Sequence, residues 1–113
     1  MNFQLEDDQK VPYAVTVTDA DNNPTNLQPG DTVTAVSSEP ASLTVVPDAT
    51  PAAGSVASGF LVAGTTLAVG VSFTVTITPA AAGAAPIVAT DLIDIIAGVE
   101  TGISIGLGAP VAQ

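Results

Sequence analysis

The sequence predicts an all-β fold, an antiparallel β-sandwich of about seven strands. Three observations predict it. From Leu67 to Thr78 the residues alternate: Val69, Val71, Phe73, Val75 and Ile77 take one parity, and Ala68, Gly70, Ser72, Thr74, Thr76 and Thr78 the other. A period of two belongs to a strand with one face buried. Apolar runs then recur at about ten-residue spacing between clusters of Asp, Asn, Pro and Gly, the residues of turns. Finally, no stretch of useful length carries an apolar stripe at helical spacing.

The elements follow in order. Residues 1–10 read as an acidic N-terminal arm, with Phe3 and Leu5 as small apolar anchors beside Glu6, Asp7 and Asp8. Residues 11–113 form the sandwich domain. Its first strand is Val11 to Thr18, with Tyr13, Val15 and Val17 on one face. Asp19 to Pro24 supplies residues that favour turns and left-handed backbone. Pro29-Gly30-Asp31 is a second turn, followed by a strand from Thr32 to Ser37. Pro40 breaks the chain before a strand from Ser42 to Val46. Pro47 to Gly54 is a loop, and a weaker strand runs from Ser55 to Val62. After the strand from Leu67, the Ala- and Gly-containing stretch Pro79 to Pro86 is a hairpin tip. Ile87 to Ile96 returns, and Thr101 to Leu107 closes the set.

Composition excludes several classes of function. The 113 residues suffice for one two-sheet core. There is no Cys, which removes disulfides, thiolate metal sites and thiol nucleophiles. There is no His, which removes Ser-His-Asp catalysis and most zinc or copper sites. Eleven acids against one base, Lys10, give a net charge of −10. Phosphate backbones and anionic membranes require clustered Lys and Arg, so neither nucleic acid nor membrane is an expected partner. The glycines and hydroxyls among the apolar residues of Gly59 to Ile77 argue against a membrane span. Nothing after Met1 has the basic start and apolar core of a signal peptide, so synthesis in the cytoplasm is expected, with retention there or release by cell lysis. Only 11% of residues are charged and 47% are apolar, which points to surface that another protein covers.

Three motifs carry a family resemblance: Val15-Thr-Val-Thr-Asp-Ala-Asp-Asn-Asn-Pro24, Gly30-Asp-Thr-Val-Thr34 and Ser37-Ser-Glu-Pro-Ala-Ser-Leu-Thr-Val45. With the later Gly64, Val71 to Thr78 and Thr90 to Ile96, they resemble a bacterial immunoglobulin-like domain of the group-2 type over about residues 11–107. The chain lacks the aromatic residue common in that family's second strand. The resemblance implies an immunoglobulin-like sandwich, as occurs in bacterial surface adhesins and in tailed-phage virion proteins. A single domain without export signal fits the phage setting. It implies a non-enzymatic capsid decoration protein located in the virion, with the major capsid protein as partner and a homo-oligomer as an option. The alternatives are a tail-tube or fibre component, or a surface adhesion or carbohydrate-binding module.

Candidate sites are few, no cofactor is expected, and enzymatic activity is not. Asp91 and Asp94 form a tempting acid pair, but residues three apart in a strand point to opposite faces. Asp19, Asp21 and Asn23 alternate like the first ligands of a calcium loop, yet no Gly or closing bidentate Glu follows. They read first as a turn, with a weak divalent-ion site as the alternative. Glu6, Asp7 and Asp8, with Phe3 and Leu5, are either a solvated terminus or a partner-binding arm. The Thr-rich faces Thr16/Thr18, Thr32/Thr34 and Thr74/Thr76/Thr78 either satisfy β propensity at wet positions or form a flat uncharged contact surface.

Overall fold

The computed structural model describes residues 2–98 and 106–112. Among these the chain is all-β and contains no helix. The strands are β1 (Phe3–Glu6), β2 (Lys10–Val15), β3 (Val17–Thr18), β4 (Pro24–Thr25), β5 (Thr32–Ser37), β6 (Leu43–Pro47), β7 (Ala57–Ala63), β8 (Ala68–Thr78) and β9 (Ile87–Ile96). They form a four-stranded sheet in the order β1-β9-β8-β5, a three-stranded sheet β2-β7-β6 and a small hairpin β3-β4. All pairings are antiparallel except β1 with β9.

The two larger sheets share one apolar core. Leu5, Val71, Phe73, Val75, Ile93 and Ile95 come from the four-stranded sheet, and Leu43 and Leu61 from the three-stranded one. Tyr13 of β2 meets Phe73 of β8 across the interface, ring centroids 5.1 Å apart at 60°, the edge-to-face geometry favoured by the ring quadrupoles. Both prolines within these sheets, Pro12 and Pro47, sit on edge strands of the three-stranded sheet. There the missing N–H costs no ladder bond. In β7, which runs between them, Gly59 lies so close to its neighbour that a Cβ would sit 2.8 Å from Pro47 Cα and 2.9 Å from Tyr13 Cε1.

Three sequence expectations change, and a fourth falls largely outside the described residues. The 1–10 segment is no appendage. Phe3–Glu6 pairs in register with Ile93–Ile96, and Leu5 is 3% exposed within the core. The expected strand over 11–18 is interrupted at Thr16, giving β2 and β3. Parity in β8 breaks near its start, where Ala68 opposes Ile95 but Val71 opposes Ile93. Three steps on β8 against two on β9 make a β-bulge. Gly70 supplies the required left-handed backbone at φ +73°. Val69 is therefore turned outward and 84% exposed. The expected closing strand, Thr101 to Leu107, lies outside the described residues over 101–105, and 106–107 is not in a strand.

Candidate interaction surface

With one base in the chain, the carboxylates find their partners in N–H and O–H donors. Asp19 Oδ1 accepts from the backbone N–H of Asp21 (2.9 Å) and Asn23 (3.0 Å), which closes the β3–β4 hairpin. Asn22 takes left-handed backbone, φ 66°, in the middle of that turn. Asp31 ties two turns together, accepting from Gln28 N–H at 3.0 Å and Ala80 N–H at 2.9 Å. Asp48 Oδ2 accepts from the buried Ser58 hydroxyl at 2.8 Å, whose oxygen accepts from Ala52 N–H at 2.9 Å. Burial, and secondarily the Asp48 carboxylate, raise the Tyr13 hydroxyl above its usual range.

Among the described residues no three of Asp, Glu, His or Cys gather in a metal-binding arrangement. Asp19, Asp21 and Asn23 form an Asp-capped turn. Asp91 and Asp94 lie three apart on β9, and the bulge that would bring them together is on β8 instead. Asp91 is exposed, whereas Asp94 accepts from the Gly70 N–H (2.9 Å) and the Asn2 side-chain amide (3.0 Å), pinning the bulge. Of the five arm residues, Leu5 is core and Phe3 half-exposed. Glu6, Asp7 and Asp8 occupy the end of β1 and its turn, with Asp7 Oδ1 accepting from Gly98 N–H at 3.2 Å.

The Asn2 amide and, after it, the Gly70 N–H hold the Asp94 carboxyl below its ordinary pKa of 3.8, against a smaller opposing effect of partial burial. A depressed folded pKa stabilises the fold above the ordinary value, and that contribution is lost as pH falls through the folded one. Acid titration should therefore move the Gly70 amide resonance at a pH below 3.8, and Asp94→Asn should abolish that transition.

Two surfaces remain unaccounted for. The first is the outer face of the four-stranded sheet. Register places Thr34, Thr76 and Val88 side by side, then Val36, Thr74 and Thr90, with Ser72 beside Leu92. Thr74 and Thr90 hydroxyls meet at 3.2 Å, while Val36 and Val88 are 57% and 58% exposed. These rows carry no charge.

The second is an open groove of about 910 Å³ between the sheets, lined by β2, β3, the inward-facing Phe73, Val75 and Ile77 of β8, and residues of both parities along the edge of β9. Its rim includes Phe3, Ile87 and Leu92, all exposed. The alternation of β8 announces the first surface. The signal for the second is in β9, where Ile87, Val88, Leu92, Ile93, Ile95 and Ile96 occupy both parities. A strand apolar on both sides expects cover on both.

Every buried side-chain nitrogen and oxygen among the described residues has a hydrogen-bond partner. Among the described residues no helix is long and apolar enough to cross a membrane. No protein-family model, curated protein or solved structure matches the chain.

Proposed function

We propose that this chain is an immunoglobulin-like β-sandwich without enzymatic activity, serving as a structural protein of a phage virion and most specifically as a capsid decoration protein on the outer shell. The observation that carries the reading is the uncharged outer face of β5, β8 and β9. An isolated domain gains solubility from charge on such a face. A hydroxyl-and-valine surface suits a dry, flat contact with a coat subunit. The four- and three-stranded sheets around a common core, and the turn motifs from Val15 to Val45, support the immunoglobulin-like part.

Strand spacing of about 4.8 Å and a rise of about 3.4 Å per residue make this face about 300 Å², below the roughly 800 Å² per partner of a stable interface. Binding as an oligomer about a symmetry axis supplies the remainder through multivalency. The acidic remainder of the molecule keeps free copies soluble and away from packaged DNA.

The test is quantitative mass spectrometry of purified particles from the source. A copy number close to that of the coat protein supports a shell or tube component. A few copies point to a fibre, and absence discards the virion reading in favour of a surface-binding module. Thr76→Lys supplies the molecular arm. Its side chain is on the outer face, so stability should change by no more than about 0.5 kcal/mol, while retention on particles should drop at least about tenfold.

A further inference from the structure

Strand β9 has an edge that is only partly covered. β1 pairs with Ile93–Ile96 and stops there, while β8 pairs with β9 on the other side from Ile87 onward. Along residues 87–92 no described residue completes the ladder. Natural edges are normally blunted by Lys, Pro, a bulge or inward charge. This one has no Lys, Pro or bulge, its one inward-parity charge is Asp91 opposite Phe73, and it presents Ile87 at 64% and Val88 at 58% exposure. Beneath it lies the groove, with Val15, Val17 and Ile77 among its walls. The facing edge strand, β2, contains Pro12, which lacks the N–H that a continuous added ladder would use there. The vacancy thus belongs to β9, end to end with β1.

Charge selects the occupant. Asp91 lines the groove and no base does. The chain's one lysine, Lys10, is engaged elsewhere, its Nζ 4.4 Å from the centre of the Phe60 ring. A second copy would bring another net −10. We infer that residues 87–92 of β9 are a docking edge for an extended, cation-bearing strand of another protein. The incoming strand adds to the sheet by backbone hydrogen bonds, and its groove-facing parity carries apolar side chains with one Lys or Arg among them set against Asp91, which faces the groove from the position paired with Phe73. The inference does not depend on the shell reading: it uses the unpaired backbone edge and groove side of 87–92, whereas the shell reading uses the outward side chains of β5, β8 and β9.

The probe is a capped Thr-Val-Thr-Lys-Thr-Val-Thr peptide, whose Val and Lys share one face when extended, titrated into the isotopically labelled full-length protein and followed by amide and methyl NMR. The expected result is saturable shifts and slowed amide exchange confined to 87–92, with methyl shifts at Val17 and Ile77. The same peptide with Glu in place of Lys should not bind. Asp91→Lys should weaken the lysine peptide at least about tenfold, as like-charge juxtaposition demands, with an unchanged melting temperature. Shifts scattered over the acidic surface without exchange protection, or no shifts at 87–92, would overturn the proposal. So would equal binding of the acidic peptide, self-association by sedimentation that perturbs 87–92, or contacts in the free protein between 87–92 and residues 99–113 of the same chain.

Discussion

Val71→Asp should leave no cooperatively folded protein, whereas Val69→Asp should melt like the parent. By simple alternation the two valines share a face, and both substitutions would place a carboxylate in the core. The Gly70 bulge separates them: Val71 is fully buried opposite Ile93, and Val69 is 84% exposed. A carboxylate at Val71 meets Leu and Ile side chains and no cation. Burying it costs several kcal/mol in either protonation state, as a desolvated ion or as an acid without hydrogen-bond partners. Domains of this size net about 5–15 kcal/mol, so that penalty removes most or all of the stability. At Val69 the change is a surface substitution, with an effect within about 0.5 kcal/mol. Circular dichroism with thermal melting separates the outcomes. A folded Val71→Asp or an unfolded Val69→Asp would mean the bulge is misplaced.

That pair also marks how far the fold was legible. Alternation identifies β5 and β8 and, within β8, the buried side from Val71 onward, because burial on one face writes its period directly into sequence. It cannot report the bulge. Gly70 reads as one more small residue on the wet parity, and its anchor, Asp94, lies on the next strand. Turn chemistry was readable where it is local: the Asp19 carboxylate closes its own hairpin within four residues. It was not readable for Asp31, whose second acceptor contact is to Ala80. β1 escaped for a related reason. Its four residues end on Glu6 and run straight into Asp7 and Asp8, and its pairing partner is separated by almost the whole chain.

The candidate surfaces divide in the same way. The uncharged outer face follows from composition and parity, since Thr74, Thr76 and Thr78 fall opposite the valines of their own strand. The docking edge does not. Parity assigns side chains to faces but says nothing of which backbone edge is paired. Only the stop of β1 at Phe3 opposite Ile93 exposes the rest of β9. The sequence did contain a hint in the apolar residues on both parities of β9, which an alternating template overlooks.

Removal of residues 1–6 should destabilise the whole domain rather than trim an arm. Leu5 is a core residue at 3% exposure, packed in the same cluster as Ile93 and Ile95. Leu5→Ala alone should cost about 2–5 kcal/mol, the transfer energy of the lost methyl groups plus the cavity they leave. Phe3→Ala, at a half-exposed position on the groove rim, should cost only about 1 kcal/mol on the same area scale. Deleting the strand adds the loss of its ladder with Ile93–Ile96 and uncovers that stretch of β9, extending the free edge to its full length. Unfolding or aggregation is the expected outcome, read by urea denaturation and light scattering. If the truncated protein instead kept its midpoint and lost only particle binding, Phe3, Leu5 and the acids after them would be a docking arm. The parallel pairing with β9 would then not contribute to stability. The contrast between Leu5→Ala and Phe3→Ala decides this without deletion, because a docking arm needs its exposed aromatic more than its buried leucine.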